Sequence, residues 1–378
     1  MGLFSLPPAP PRADLNLDMF LNGDGQEEPT GHLRRTMAAE WFPQSGIQLT
    51  WPHAGTDWAY MIEEVTDCYV RLAFEIATRE TLLIVTPEPE NVRTLLDTRL
   101  PRRATANIVY AECPTNDTWA RDHGFISILG NGQPELVDFR FNGWGGKFEA
   151  TLDNAINHHL FETGAVAGRY VNMLDFELEG GSIESDGCGT LMTTSQCLLN
   201  PNRNSRLDKS QITQLLQDVL GMERVLWLDH GALAGDDTDA HIDTLARFCT
   251  KDTIVYVSCD DQEDEHFDPL QRMKAQLQTF TTPSGQPYKL IPVPLPDPIF
   301  DENNERLPAT YANFLIMNSA VLYPTYGQRD KDEMTGAALR CAFPKTDIVG
   351  IDCRALIRQH GSLHCATMQY PRGVLRQP

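Results

Sequence analysis

The chain has 378 residues and a formal net charge of −21, from 52 acidic and 31 basic side chains. That balance argues against nucleic acid, whose affinity rests on neutralising phosphates, and against an anionic membrane surface, and it favours a cationic ligand. Hydrophobic residues are 41% of the chain, enough for a large core, and charged residues are 22%, short of a disordered composition.

Residues 1–30 are rich in Pro, Asp, Glu and Gly and read as a loose N-terminal extension, leaving 31–378 as a single domain. No basic segment precedes an apolar run at the N-terminus, position 6 is Leu, and no apolar run approaches the length of a bilayer span. A cytoplasmic protein is therefore expected, without a secretory signal, a myristoyl group or a membrane span. The nine cysteines (68, 113, 188, 197, 249, 259, 341, 353 and 365) are odd in number, scattered and free of any C-x-x-C pair. They form neither a disulfide framework nor a zinc-site spacing, and they fit a reducing compartment.

A layout of strand, helix and second strand then recurs. Residues 47–51 are strand-like, 57–78 helical, 82–85 a strand, 90–98 a helix and 107–110 a strand. A second copy runs through strands at 125–129 and 135–140, joined by an Asn131-Gly132 turn, then a helix at 150–162 and a strand at 170–174. The third has strands at 182–184 and 189–194, a helix at 209–220 ending at Gly221, and a strand at 224–228. In the fourth, 242–249 and 253–258 form a hairpin, 268–280 a helix and 290–293 a strand. In the fifth, 313–317 pairs with 320–323, 331–342 is helical and 347–351 is a strand. Five units of roughly 50–75 residues predict an α/β fold, and a radial arrangement would bring each unit's inner edge to a common axis. An open doubly wound sheet is the competing architecture. Recurring hairpins weigh against it, and no G-x-G-x-x-G or Walker A sequence is present.

Polar residues fall at one phase of this repeat. They are Asp117, Trp119 and Asp122 after the first unit, Glu179-Gly180-Gly181 after the second, and Asp236, His241 and Asp243 after the third. Asn313 follows the fourth and Gly361-Ser362-Leu363-His364-Cys365 the fifth. Alone, each has an ordinary explanation: a tight turn, a satisfied buried pair, or a cysteine acting as a small hydrophobe. His241-Ile242-Asp243 reads as a strand with both polar side chains on one face. In a radial fold the five places would line one pocket.

The stretches 116–124, Phe141-Asn142-Gly143-Trp144-Gly145-Gly146, Glu179-Gly180-Gly181, 236–243 and 361–365 resemble the agmatine deiminase family, which includes bacterial peptidylarginine deiminases. Ala39-Glu40-Trp41 and Thr50-Trp51-Pro52 extend the resemblance over about 33–372. It implies the five-bladed pseudo-symmetric α/β propeller (pentein) of guanidine-modifying enzymes, consistent with the five units, and hydrolysis of a guanidinium to a ureido group and ammonia. Cys365 matches the nucleophile, His241 the general acid and base, and Asp122 and Asp243 the carboxylates that clamp the guanidinium fork. Glu179 would orient or charge-stabilise His241. Trp119, Asp117, Asp236 and Trp144 are candidates for the far end of the substrate, and Asn313 for a further polar wall. His364 is expected to face away from Cys365, as neighbours on an extended segment do.

No cofactor is implied, because nucleophile and proton shuttle come from the chain. A metal held by His241, Asp243, His364 and Cys365 would mix hard and soft ligands at no standard spacing. The sequence departs from the family at Gln359-His360-Gly361-Ser362, in place of a glycine-rich run, and at Phe125, in place of a frequent proline. Both bear on substrate more than on reaction. Free agmatine is the leading substrate. A peptidyl- or protein-arginine deiminase, an amidinotransferase and a non-catalytic guanidine- or polyamine-binding protein are the alternatives. The oligomeric state stays open, a homo-oligomer included.

Overall fold

The repeating layout becomes five separate sheets among the residues described by the computed structural model, 35–130 and 132–376. The extension expected over 1–30, and Asn131 of the expected turn, lie outside these residues. In chain order the strands are β1 (Thr36–Met37), β2 (Gln44–Thr50), β3 (Thr81–Thr86), β4 (Ile108–Glu112), β5 (Ile126–Leu129), β6 (Glu135–Arg140) and β7 (Arg169–Glu177). They continue as β8 (Ile183–Ser185), β9 (Thr190–Thr194), β10 (Arg224–Leu228), β11 (Ala246–Thr250), β12 (Thr253–Ser258) and β13 (Lys289–Pro294). The last are β14 (Leu315–Ile316), β15 (Ala320–Thr325), β16 (Asp347–Asp352) and β17 (Thr367–Pro371).

Each sheet repeats one arrangement, an antiparallel pair followed by a parallel neighbour across a helix. β8 pairs antiparallel with β9 and β9 parallel with β10. β11, β12 and β13 do the same, as do β14, β15 and β16. In β5–β6–β7 the short β1 adds outside β5. The sheet containing β2, β3 and β4 takes its antiparallel member from the other end of the chain, since β17 pairs with β2 from Thr367↔Leu49 to Pro371↔Gln44. The C-terminal strand thus completes the first sheet. The sequence reading had no strand there.

The packing follows from residue spacing. β3 is buried along its whole length, as suits a strand inside a sheet covered on both faces. Its alternate side chains part accordingly: Leu82 and Ile84 enter one hydrophobic cluster, Leu83 and Val85 the other. The helix Ile62–Ala77 lays Val65, Tyr69, Leu72, Ala73 and Ile76 into the first cluster at helical spacing. Each such large aliphatic side chain contributes about 1.5–3 kcal/mol on full burial. The helix Lys209–Leu220 starts at a reciprocal cap between Asp208 and Gln211 and ends at Gly221, as expected.

One expected strand starts later than the sequence suggests. Ile242–Thr244 is a 3-10 turn, closed by the Thr244 N–H and Oγ1 donating to the His241 carbonyl at 3.2 and 2.8 Å, and β11 begins only at Ala246. His241 and Asp243 therefore sit on a turn before a strand, not on one face of a strand.

Candidate active site

Five segments, each just ahead of the antiparallel strand of its sheet, are tied to one another in sequence. The Arg121 N–H donates to the Cys365 carbonyl at 3.1 Å, and the Gly181 N–H to Asp122 Oδ1 at 3.1 Å. The second and third segments are joined through the end of β9, where Thr193 Oγ1 donates to the Ser182 carbonyl at 2.7 Å and Thr194 Oγ1 to the Ala240 carbonyl at 2.8 Å, and Thr310 Oγ1 donates to the Thr244 carbonyl at 2.8 Å. The His364 N–H, donating to Asn313 Oδ1 at 2.8 Å, returns to the start. The circuit holds Cys365, Asp122, His241, Asp243 and Asn313 together, all of them buried.

Glycine permits this convergence at two points. A Cβ on Gly181 would lie 2.7 Å from His241 Nδ1 and 2.8 Å from Asp122 Oδ1, so a side chain there would fill the site. A Cβ on Gly361 would lie 2.4 Å from the Trp119 ring, so the chain leading to Cys365 needs a bare backbone against that indole. Residues 363–366 then form a turn, with the Thr367 N–H donating to the His364 carbonyl at 3.0 Å, so Cys365 is not on an extended segment.

Asn313 is the closest polar partner of the thiol. Its Nδ2 lies 3.3 Å from Cys365 Sγ, and its Oδ1 accepts from the Cys365 N–H at 3.2 Å. Asp243 Oδ2 is 3.8 Å from Sγ. Burial, then the charges of Asp243 and Asp122, push the Cys365 thiol well above its ordinary range. Asp122 accepts from the Trp144 indole N–H at 2.9 Å on Oδ2 and from Gly181 on Oδ1; burial and Asp243 raise its carboxyl. Asp243 behaves oppositely. Burial alone would raise it, but the hydrogen bond and charge of His364 hold it below the usual range.

His241 has no hydrogen-bond partner on either ring nitrogen among the described residues, although it is fully buried. Its Nδ1 lies 3.6 Å from Asp122 Oδ1, and burial lowers its pKa to about 3, leaving it neutral. Asp243 Oδ1 is likewise buried without a partner. Such orphaned groups cost about 1–3 kcal/mol each, so a ligand that satisfies them is strongly favoured. What they lack is a fork of N–H donors.

A family model described as Porphyromonas-type peptidyl-arginine deiminase matches residues 36–371. The chain belongs to that family. A structure from Porphyromonas gingivalis, provisionally assigned as an arginine deiminase, is 50% identical with a TM-score of 0.86, covering 91% of this chain and 100% of its own. An agmatine deiminase from C. jejuni, solved as a Cys-to-Ser variant with substrate bound, is 39% identical with a TM-score of 0.83, covering 93% and 100%. The agmatine deiminase of Pseudomonas savastanoi pv. phaseolicola is 31% identical over 361 residues, 89% of this chain and 95% of its own.

In this deiminase-family chain the other expected residues divide. Glu179 is buried beside the site, but both its oxygens accept from Arg203 Nε, at 2.8 and 3.0 Å, rather than from His241. Arg203 also donates to Asp239 at 2.7 Å and to the Thr238 carbonyl at 3.1 Å, so it braces the loop carrying His241. Asp117 spends its carboxylate on the indole N–H groups of Trp58 and Trp119, both at 3.1 Å. Asp236 accepts from Thr238 and from the Ala240 N–H at 2.6 Å. These two aspartates shape the rim, where burial raises both carboxyls, Asp117 to about 6, and neither bonds the thiol. Trp144 touches the site through Asp122, with a left-handed backbone (φ 56°) that a bulky residue rarely adopts.

Sequence reasoning missed Arg203 altogether. No periodicity links position 203 to 179 or 239; the one available signal was that the acidic run 236–239 needs a cation. It also placed Asn313 at the wall, whereas Asn313 is in contact with Cys365. The His364 ring lies against Asp243, Glu40 and Arg247. Two clusters offer three metal-ligating atoms within 4.8 Å: Glu179, Cys197 and His241, and Glu40, Glu184 and His364. In each, an arginine already bonds a carboxylate, Arg203 in the first and Arg247 in the second, and its charge opposes a cation.

Proposed function

We propose that the protein is an agmatine deiminase, hydrolysing the guanidinium of agmatine to N-carbamoylputrescine and ammonia through a thiouronium on Cys365. The observation that carries this is the pair of orphaned buried acceptors in the site, Asp243 Oδ1 and the unprotonated ring nitrogen of neutral His241. A guanidinium is a planar fork of N–H donors with a positive charge. It satisfies these acceptors, and its charge offsets the Asp122 and Asp243 carboxylates that hold the thiol protonated.

With the carbon against Sγ, neutral His241 takes the thiol proton as the S–C bond forms, giving a neutral tetrahedral adduct. The imidazolium returns the proton to the departing nitrogen, the C–N bond breaks, and ammonia leaves a thiouronium. Water then attacks that carbon with His241 as base. Collapse breaks the C–S bond, frees Cys365 and yields the ureido product, the surplus proton ending on ammonia. Asp122 and Asp243 hold the fork throughout, a proximity effect. Asn313 fixes the thiol. Glu179, neutralised by Arg203, adds polarity behind His241.

The rim supports agmatine over arginine. Asp117, Asp236, Asp237 and Asp239 surround it; Asp239 is paired with Arg203 and Lys147 and Asp237 with His360, while Asp117 and Asp236 form no ion pair among the described residues. Acidic groups and the Trp119 face suit the amine at the far end of agmatine, while an amino acid would bring a carboxylate among them. Agmatine deiminases recur among the relatives. The family description favours a second reading, a peptidyl-arginine deiminase. A ureido-product assay with agmatine, arginine and an arginyl peptide separates them. Turnover of agmatine well above the other two is expected, and an inert agmatine beside an active peptide would overturn the assignment.

We further propose that the five sheets are the blades of a pseudo-symmetric α/β propeller of pentein type. The circuit of hydrogen bonds from Cys365 through the five segments and back supports it, as does β17 completing the sheet of β2. A cytoplasmic location fits the nine free cysteines, seven of them buried, and no helix of the described residues is long and apolar enough to cross a membrane.

A further inference from the structure

From Asp243 a chain of charges runs through His364 to the Ala39-Glu40-Trp41 stretch. His364 Nδ1 lies 2.8 Å from Asp243 Oδ2, and its Nε2 lies 2.6 Å from Glu40 Oε1. Nδ1 has only the Asp243 carboxylate within reach, so it carries a proton and donates, whereas Nε2 faces both the Glu40 carboxylate and, at 3.0 Å, Arg247 Nη2. Glu40 in turn accepts from Arg247 Nη2 at 2.5 Å and from Gln369 Nε2 at 2.9 Å. Arg247 also bonds Glu184 and donates to the Phe314 carbonyl at 2.6 Å. Arg121 Nη1 lies 3.3 Å from Glu40. The ring of His364 is therefore gripped at both nitrogens and fixed in plane.

This grip divides the two oxygens of Asp243. Oδ2 is held by His364 Nδ1 and lies 3.8 Å from Cys365 Sγ, and Oδ1 is left buried with no partner among the described residues. We propose that His364, anchored by Glu40, is the positioning residue that commits Asp243 Oδ1 to the guanidinium. The inference rests on the guanidine-binding reading of the site. A carboxylate free to rotate about its terminal bond presents either oxygen, whereas one held by a fixed N–H donor presents one. Asp243 is at hydrogen-bonding range of His364 only through Nδ1, so the two halves of the imidazole have separable jobs.

Two substitutions separate them. In His364→Asn the side-chain amide N–H takes the place of Nδ1–H, keeping the bond to Asp243 and losing Glu40. In His364→Gln it takes the place of Nε2, keeping Glu40 and losing Asp243. The readout is the rate at which Cys365 is alkylated by chloroacetamidine, an amidinium, divided by the rate with neutral chloroacetamide. In both reactions sulfur bonds to the CH2 carbon, chloride leaves and the thiol proton goes to solvent, so the ratio isolates recognition of the cationic fork. The expected outcome is that His364→Asn keeps the ratio of the unaltered protein within about threefold and His364→Gln lowers it at least about tenfold, the loss of one charge-assisted hydrogen bond. The Tm of both variants is recorded. Equal ratios in the two variants, a fall that tracks Tm alone, or no preference for the amidinium in the unaltered protein would overturn the proposal. Agmatine turnover is read separately: its absence with a ratio that still falls only in His364→Gln would reject the substrate and leave the positioning role standing.

Discussion

Cys365 is buried with a raised thiol, and His241 is buried with a lowered imidazole, so both are neutral in the empty site. The sign of the pH dependence follows. A raised pKa keeps the proton on sulfur at neutral pH, and the thiolate fraction grows only as pH climbs past the ordinary thiol value of about 8.5. Alkylation of Cys365 by neutral iodoacetamide, followed by peptide mass mapping, should be slow at pH 7 and still accelerating at pH 9; a plateau below pH 8 would contradict the reading. Arg203 supports a different prediction. It and Glu179 form an ion pair with neither side chain exposed, so Arg203→Met strands a buried carboxylate. A loss of about 3–5 kcal/mol in urea unfolding is expected, with midpoint and slope both recorded, and an unchanged midpoint would show that the pair is not needed for stability.

At the scale of elements, the segment 361–366 must turn Cys365 inward and then deliver β17 to the edge of β2. Gly361→Ala should cost about 1–3 kcal/mol, since the new methyl meets the Trp119 ring, and should lower kcat by displacing the nucleophile; thermal unfolding and steady-state rates on one preparation check both. The strands and helices were largely legible, because hydrophobic spacing at periods of 2 and 3.6 residues is local information. β17 was not. Thr367-Met368-Gln369-Tyr370-Pro371 has a partner some 320 residues earlier, and nothing within the segment announces it. The 3-10 turn at Ile242–Thr244 escaped for a related reason, since the Thr244 hydroxyl bonding back to His241 overrides a strand-like run. Cys365, His241, Asp122 and Asp243 were found through repeat phase and family resemblance. Arg203, and the link from Glu40 through His364 to Asp243, depend on contacts between distant segments and were not.

For the whole molecule, 52 acidic against 31 basic residues set a field that draws cations to the rim. The KM for dicationic agmatine should therefore rise between about 0.02 and 0.5 M salt, over which the screening length shrinks severalfold, while the KM for zwitterionic arginine, if turned over, should rise less. Parallel salt dependences would place recognition wholly within the buried site. That site is where the central claim lies: a guanidinium held by Asp122 and Asp243 is transferred to Cys365 before water releases it. Rapid acid quench of the protein mixed with agmatine, read by intact mass and peptide mapping, tests it most directly. The account predicts a transient adduct on Cys365 with the mass of agmatine less ammonia, appearing before steady state and missing in Cys365→Ala. Ureido product formed at an unchanged rate by Cys365→Ala would contradict it.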